Sequence, residues 1–209
     1  MTASIPIPEP RPRPDSLAGV VRVGSFGTFY QRFDDLIAAS ANMVLYFIHS
    51  RRWRENHDAT LKAFLRRDGT SLEVFLPDLE NHELMFSLAR HFDDGPQIPF
   101  LVVDAYRYFG RLARDFGQPA HLWLFNRYPT YSFYKFDEAA VLALYSNAAA
   151  KKDLPAFEIT TDGMFGTFLS TDIADLKKEC RRFLPTELES VIRNAPPPPS
   201  SWDLESLDE

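Results

Sequence analysis

A basic segment that could bind a phosphate group follows directly after an apolar run of the sequence. Arg51, Arg52 and Arg54 surround Trp53, and the preceding residues 43–48 (MVLYFI) are predicted to form a buried strand. Open α/β sheets bind ligands at the carboxyl ends of their strands, where this basic loop is expected to lie. Guanidinium groups bind phosphate bidentately, and an indole can stack on a base. The segment therefore indicates a phosphate site, unless the arginines pair with surface acids and Trp53 packs against the next helix.

The histidines do not form a metal-binding motif. His82 and His91 are nine residues apart, which places them on opposite sides of a predicted helix. The sequence contains no H-x-x-x-H, H-E-x-x-H or Cys–His spacing of the kind that binds zinc. We therefore expect neither a metal nor another cofactor. His49 and His57, which flank the basic loop, stay open as candidates for proton transfer.

Other signatures of catalysis are weak or missing in the sequence. There is no G-x-S-x-G nucleophile elbow, and the glycine-containing segment 24–27 (GSFG) lacks the lysine that follows a phosphate-binding loop. The adjacent carboxylates Asp34 and Asp35 are typical of a solvated helix face. Cys180 falls on the apolar stripe of the last predicted helix, where we expect an inert hydrophobic residue.

The order of the predicted elements indicates a single α/β domain. Apolar runs and alternation predict strands over residues 43–48, 72–76, 121–125, 130–136, 139–145 and 157–160. Apolar residues at helical spacing predict helices over residues 28–39, 55–67, 80–92, 99–116 and 171–184. This order favours a mixed, mainly parallel sheet flanked by helices, which begins with parallel strands and ends with antiparallel ones.

Charge and proline are unevenly distributed along the chain. The net charge of -6 excludes a generally basic surface, and no apolar run is long enough to cross a membrane, which favours a cytoplasmic protein. Residues 1–23 carry alternate prolines and are expected to form an extended arm. Residues 194–209 combine a proline run with purely acidic charge and are expected to be a disordered tail. The α/β domain is thus predicted to cover residues 24–193.

Three apolar residues interrupt the acidic tail, namely Trp202, Leu204 and Leu207. Their spacing would allow a short amphipathic turn to dock on a protein partner. The alternative is a solvated terminus without a partner.

Residues 130–147 resemble the motif of the phospholipase D-like superfamily. That family carries H-x-K-x4-D, followed by a turn, an apolar strand and G-S-x-N. Asp137 falls on the family's aspartate, and Ser146 with Asn147 resembles the Ser/Asn end. The resemblance extends over about residues 26–169, because the order of strands and helices is similar. It implies a phospholipase D-like α/β fold.

The chain departs from this motif at the positions that perform the family's chemistry. Thr130 stands in place of the nucleophilic histidine, and Ser132 in place of the phosphate-binding lysine. Lys135 is on the same predicted strand, but its odd spacing from Ser132 should direct it to the other face of the sheet. Without the imidazole, no covalent phosphohistidine can form. The resemblance therefore implies a domain that has lost its catalytic activity.

Together these observations predict a non-catalytic module that binds or senses a phosphate-bearing ligand, such as a nucleotide or a nucleic-acid end. The predicted ligand-binding residues are Arg51, Arg52, Trp53, Arg54, Ser132, Ser146 and Asn147. Two alternatives stay open: a divergent phosphodiesterase or nuclease that uses His49 or His57, and an interaction scaffold that docks through its acidic tail. The resemblance also implies a homodimer across the motif face and a regulatory or defence role in bacteria.

Overall fold

An eight-stranded sheet organises the chain in a computed structural model that describes residues 18–92, 97–117, 120–146 and 154–195. In chain order, the strands are β1 (Val20–Ser25), β2 (Asn42–Tyr46), β3 (Ser71–Pro77), β4 (Ala120–Phe125), β5 (Tyr131–Lys135), β6 (Ala139–Leu144), β7 (Pro155–Thr160) and β8 (Arg181–Phe183). Their spatial order is β1-β7-β6-β5-β2-β3-β4-β8. β2 therefore lies near the middle of the sheet, between β5 of the motif hairpin and β3.

Parallel pairing is confined to β2, β3 and β4. Leu45 lies opposite Val74 and Val74 lies opposite Leu122, whereas the remaining described pairings are antiparallel. The expected single mixed α/β domain is confirmed, as is the progression from parallel to antiparallel strands. One part of the expectation needs correction, because the pairing is mainly antiparallel. The connection after β5 covers only residues 136–138, and so short a connection can join only antiparallel neighbours.

The described helices lie between strands along the chain, except for the last one, which follows β8. They are α1 (Tyr30–Ala39), α2 (Arg51–Leu65), α3 (His82–His91), α4 (Ile98–Phe116), α5 (Met164–Glu179) and α6 (Leu188–Asn194), with 3-10 turns at Phe26–Phe29 and Pro185–Glu187. None of the described helices is long and apolar enough to span a bilayer.

At both ends of the described chain, the elements differ from the sequence prediction. The first strand begins at Val20, four residues before the predicted start of the domain at residue 24. The last long helix begins at Met164 and ends at Glu179, instead of covering residues 171–184. The residues that follow Cys180 leave the helix because they pair with β4 as the edge strand β8.

Helices cover both faces of the sheet. Tyr131 and Tyr134 are three residues apart on β5 and therefore face opposite sides. Tyr134 packs against Phe33 of α1 and Trp53 of α2, with ring centroids 5.0 and 5.1 Å away. Tyr131 donates a hydrogen bond to Asp172 of α5 on the other side. The face with Tyr134 is the one on which the candidate site lies.

Candidate functional site

A cleft of about 810 Å³ opens at the carboxyl end of β2. The first turn of α2, the start of α1 and the ends of β5 and β6 all contribute to its walls. Its polar lining includes His49, Ser50, Arg51, Arg52, Ser132 and Ser146. The basic segment and the motif hairpin, which are far apart in sequence, thus face one space. Such a volume lies within the range of small-molecule sites, about 300–1,000 Å³.

The basic segment is the first turn of a helix rather than the expected loop. Ser50 precedes α2 in the left-handed conformation, with φ +50° and ψ +37°, and its side chain does not cap the helix. Instead, the Ser50 hydroxyl forms a 2.5 Å hydrogen bond with the buried hydroxyl of Tyr134 on β5. α2 begins at Arg51, and its amino-terminal end opens into the cleft. The amino-terminal end of a helix favours the binding of anions.

Arg51 and Arg52 form the basic rim of the cleft. Both side chains are exposed, and Arg51 Nε donates to Glu55 Oε1 at 2.9 Å. Arg52 forms no ion pair within the described ranges. Burial raises the pKa of Tyr30, and the nearby positive charge of Arg52 offsets part of this increase. Arg52 is therefore placed to bind an anion without first breaking an ion pair with a described residue.

Trp53 packs in the core instead of projecting into solvent. Its side chain is 1% exposed and lies against Phe33, His57 and Tyr134, with ring centroids 5.8, 5.2 and 5.1 Å away. One edge of the residue contributes to the cleft wall. The packing interpretation of Trp53 thus replaces the expectation that its indole stacks on a base.

Arg54 has a structural role. Its side chain is 4% exposed, Nε donates to the His49 carbonyl at 3.0 Å, and the guanidinium donates to Asp104 Oδ2 at 2.7 Å. Arg54 is not among the residues that line the cleft. The expectation that it binds a ligand is corrected, because its donors join α2 to the end of β2 and to α4.

Ser132 and Ser146 line the cleft as predicted. Ser132 is buried and hydrogen-bonded to the hydroxyl of Tyr145, which also accepts a 3.3 Å bond from the Ile48 N–H. Burial raises the pKa of Tyr145 to about 12, so its hydroxyl stays protonated at neutral pH. These hydroxyls give the floor of the cleft neutral hydrogen-bonding groups.

Four other predicted site residues lie outside the described residues. They are Asn147 of the motif and Trp202, Leu204 and Leu207 of the acidic tail. Their roles in ligand or partner binding stay predictions.

The other end of the motif hairpin does not reach the cleft. The Asp137 carboxylate accepts hydrogen bonds from the Ala41 N–H at 2.6 Å and from the Asn42 N–H at 3.1 Å. Although burial raises the pKa of Asp137, these bonds and one from the Asn42 side chain lower it overall. Thr130 is exposed and, like Lys135, is not part of the cleft lining. Asp137 thus binds the backbone at the start of β2.

The two histidines considered for catalysis differ in position. His57 is 2% exposed, and its Nδ1 lies 2.8 Å from Oδ1 of Asp34. The residue does not line the cleft. His49 does line it, and its Nδ1 accepts a 3.2 Å hydrogen bond from the Arg51 N–H. The neutral His49 ring therefore carries its proton on Nε2, which makes it a donor instead of a nucleophile.

Several cleft residues were not predicted from the sequence. Tyr30 and His91 contribute from α1 and α3, and Tyr145 from the end of β6. Tyr145 had a usable signal, because it immediately precedes Ser146 at the end of the same strand. Tyr30 and His91 had none, since only the folded chain brings their helices to the cleft.

Cys180 and the acidic residues offer no further reactive centre in the described part of the chain. Burial raises the pKa of the Cys180 thiol to about 12, which suits the inert role expected for it. Within the described residues, no group of three or more His, Cys, Asp or Glu side chains is arranged to hold a metal ion.

Comparison with known proteins identifies the fold. No protein-family model and no curated protein sequence matches the chain. Phosphatidylserine synthase from Haemophilus influenzae Rd KW20 is similar in structure, with a TM-score of 0.53 and 14% identity over 78% of this chain and 40% of its own. TrmBL2, an archaeal chromatin protein, has a TM-score of 0.51 and 13% identity over 78% of this chain and 54% of its own.

Nuc, a phospholipase D family member from Salmonella typhimurium, matches with a TM-score of 0.45 and 10% identity, over 78% of this chain and 97% of its own. The chain spans about half of TrmBL2 and two fifths of the synthase. The protein therefore shares its fold with the synthase and with TrmBL2, in agreement with the phospholipase D-like fold that the motif resemblance implied.

Proposed function

We propose that the protein is a non-catalytic binding module whose cleft takes a phosphate-bearing ligand, either a nucleotide or a nucleic-acid end. The observation that carries this proposal is that one cleft unites the first turn of α2 with the ends of β5 and β6. The turn supplies positive charge, and the strand ends supply hydroxyl groups.

The phosphate group would bind at the rim. Arg52 provides a guanidinium without an ion-pair partner in the described part of the chain, and the amino-terminal end of α2 favours negative charge. His49 lies on the same wall of the cleft. Arg51 can join these groups once its exposed ion pair with Glu55 is broken, which costs little in water.

The rest of the ligand would contact aromatic walls. Phe26, Tyr30, Phe92 and Tyr145 line the cleft around the hydroxyls of Ser132 and Ser146. Stacking of a base on an aromatic side chain is worth about 1–3 kcal/mol. This combination suits a planar ring linked to a phosphate better than it suits inorganic phosphate alone.

The residues that occupy the motif positions support the proposal that the protein is not a catalyst. Thr130 and Ser132 cannot act as the nucleophilic histidine and the lysine of the family. His57 is buried outside the cleft, and His49 presents a protonated nitrogen. Neither histidine therefore replaces the missing nucleophile in this proposal.

The decisive experiment measures ligand-induced thermal stabilisation with two probes, AMP and a 5′-phosphorylated single-stranded tetranucleotide. The second probe is included because TrmBL2, of similar fold, binds DNA. We expect the melting temperature of the wild type to rise with probe concentration. The double variant Arg51→Ala/Arg52→Ala should lose this rise.

Arg107→Ala is the matched control, because Arg107 is exposed on α4 and does not line the cleft. It should keep the full rise in melting temperature. No stabilisation of the wild type by either probe, or equal stabilisation of the double variant, would contradict the proposal.

Phosphodiester hydrolysis is a second candidate function, favoured by His91. Its Nδ1 donates to the Ser87 carbonyl at 2.9 Å, which leaves Nε2 as a proton acceptor, and the residue lines the cleft. Hydrolysis of bis(p-nitrophenyl) phosphate should then disappear in His91→Ala and persist in His82→Ala, which alters a histidine outside the cleft. An inactive wild type, or an active His91→Ala variant, would exclude this role.

The protein partners stay predictions. The family resemblance implies a homodimer across the motif face, and the apolar residues of the acidic tail predict a protein partner there. Residues 196–209 lie outside the described part of the chain. Removal of residues 195–209 should abolish co-purification of a tail partner.

A further inference from the structure

Two neighbouring helices carry an excess of positive charge in a chain whose net charge is -6. Residues 51–67, which comprise α2 and the two arginines after it, and residues 98–116, which form α4, contain nine Lys or Arg and four Asp or Glu. All four acids form ion pairs with basic residues of the same two segments, namely Glu55 with Arg51, Asp58 with Lys62, Asp104 with Arg54 and Asp115 with Arg114. Five arginines therefore keep an uncompensated charge among the described residues, namely Arg52, Arg66, Arg67, Arg107 and Arg111.

α2 and α4 lie side by side and run in the same direction away from the cleft. Both helices begin at the cleft, since Arg51, Arg52 and Ile98 line it. Three contacts further along join residues that are fifty positions apart, which keeps the two helices in one register over about three turns. These contacts are Arg54 with Asp104 at 2.7 Å, the Tyr108 hydroxyl with Asp58 at 3.0 Å, and the Arg66 guanidinium with the Phe116 ring, 5.7 Å from its centroid. The groove between α2 and α4 therefore leads from the cleft to Arg66.

Two of the five arginines border this groove. Arg66 and Arg111 are both exposed, and Arg66 lies at the end of the groove that is farther from the cleft. Burial raises the pKa of Tyr108, and the nearby positive charge of Arg111 offsets part of this increase, so Arg111 lies near the Tyr108 hydroxyl. Arg107 is exposed as well, but it adjoins Tyr108 in sequence and therefore points about 100° away from it around the helix. Arg107 thus has the same chemistry as Arg111 outside the groove.

A linear series of phosphate groups suits this arrangement of charge. Arg66 lies fourteen residues after Arg52, which corresponds to about 21 Å along the axis of α2. A nucleic-acid strand repeats its phosphates over such a distance, and its bases can stack on the half-buried rings of Tyr108 and Phe116. An acidic peptide would complement the positive charge, but it lacks the planar rings that stack on aromatic side chains.

We propose that a single nucleic-acid strand, with its end in the cleft, continues along the groove between α2 and α4, where Arg66 and Arg111 bind its phosphate groups. This role of the groove rests on the proposed function, because the end of the strand occupies the same cleft. The ligand is then a nucleic-acid end instead of a free nucleotide. Since phosphate contacts carry no sequence information, the strand is bound with little preference for its bases.

Binding of two 5′-phosphorylated thymidine oligonucleotides, measured by fluorescence anisotropy at increasing salt, tests this path. At about 3.4 Å per nucleotide, a dinucleotide spans about 7 Å and stays in the cleft, whereas a dodecanucleotide spans about 41 Å and passes Arg66. We expect the wild type to bind the dodecanucleotide at least about tenfold more tightly at low salt, because it contacts more phosphates. Arg66→Ala/Arg111→Ala should weaken its binding at least about fivefold and lower the slope of log K against log salt by about 1.4, while dinucleotide binding stays unchanged.

Arg107→Ala/Lys178→Ala is the matched control, since it removes two exposed positive charges outside the groove, one on α4 and one on α5. It should bind both oligonucleotides like the wild type.

Equal affinity of the wild type for the two oligonucleotides would overturn the role of the groove, as would an equal loss of dodecanucleotide binding in the control variant. Displacement of the dodecanucleotide by an equal concentration of a glutamate dodecapeptide would also overturn it, because charge alone would then be recognised. In these cases the dinucleotide and AMP would still bind, and the proposed function would stand. A wild type that binds neither the dinucleotide nor AMP would instead contradict the proposed function, and the path of the strand with it.

Discussion

Arg52 and Arg54 lie two residues apart on the first turn of α2, yet they have different roles. Arg54 is buried, and it donates to the His49 carbonyl and to Asp104. Arg52 is exposed on the cleft rim and has no ion-pair partner among the described residues. In a helix, residues two positions apart point in different directions, so a run of arginines divides between core and surface. The number of arginines in a short segment thus overestimates how many of them can bind a ligand.

The motif hairpin shows the same division. Asp137 receives hydrogen bonds from the backbone at the start of β2, whereas Ser132 lies beside the cleft at the other end of β5. Asp137, which the chain retains from the motif, therefore stabilises the fold. Ser132, which stands in place of the family's lysine, faces the cleft.

The sharpest test of the contrast between the two arginines is Arg54→Ala. This change removes a buried side chain and leaves the His49 carbonyl without its donor, whereas Asp104 is half exposed, so we expect the free energy of unfolding to fall by about 2 kcal/mol. Urea denaturation measures the loss. Arg52→Ala should change the same quantity by less than about 0.5 kcal/mol. Similar losses of unfolding free energy in both variants would contradict the different roles assigned to Arg52 and Arg54.

Asp137→Asn extends the contrast to the motif hairpin. Loss of the charge weakens the bonds from Ala41 and Asn42, and we expect a loss of about 1.5 kcal/mol at neutral pH. Because the folded-state pKa of Asp137 is depressed, its contribution is present above the unfolded value, about 3.9, and disappears as the pH falls through the folded value.

Urea denaturation across this pH range should therefore show that the free energies of unfolding of Asp137→Asn and the wild type become more similar as the pH falls. Asp68→Asn, at an exposed aspartate, should show no such difference at any pH. A difference that stays constant down to about pH 2 would show that the carboxylate charge is not the stabilising group.

The smallest expected effect concerns the other cleft arginine. Glu55→Gln removes the acid that pairs with Arg51, so AMP should bind about threefold more tightly at low salt. Isothermal titration at increasing salt measures the gain, which should diminish as the charges are screened. Glu189→Gln, at an exposed acid on α6, should leave the affinity unchanged. An unchanged affinity in Glu55→Gln would place Arg51 outside the ligand site.

Local patterns in the sequence predicted the elements of the fold well. The apolar run before His49 forms β2 and the start of its connection, and the stripe that includes Phe109 and Leu112 forms α4. The phospholipase D-like fold was implied by the resemblance of residues 130–147 to the family's motif. The end of α5 was missed, since the pairing of Arg181–Phe183 with β4 overrides the helical spacing around Cys180.

The site was predicted only in part, because its geometry depends on distant contacts. Arg51, Arg52, Ser132 and Ser146 meet at one cleft, as expected. The burial of Arg54 depends on Asp104, which lies fifty residues further along the chain. A sequence gives no measure of that distance in space.

The hydrogen bond between Ser50 and Tyr134 has a mechanical consequence. It ties the residue before α2 to the strand that carries Ser132, so the basic rim and the hydroxyl floor are joined by one short link. A ligand that displaces the rim would therefore also displace the motif hairpin. We therefore expect these two sides of the cleft to move together when a ligand binds, so that adaptation to ligands of different size falls to the opposite side, formed by the end of α3 and the start of α4.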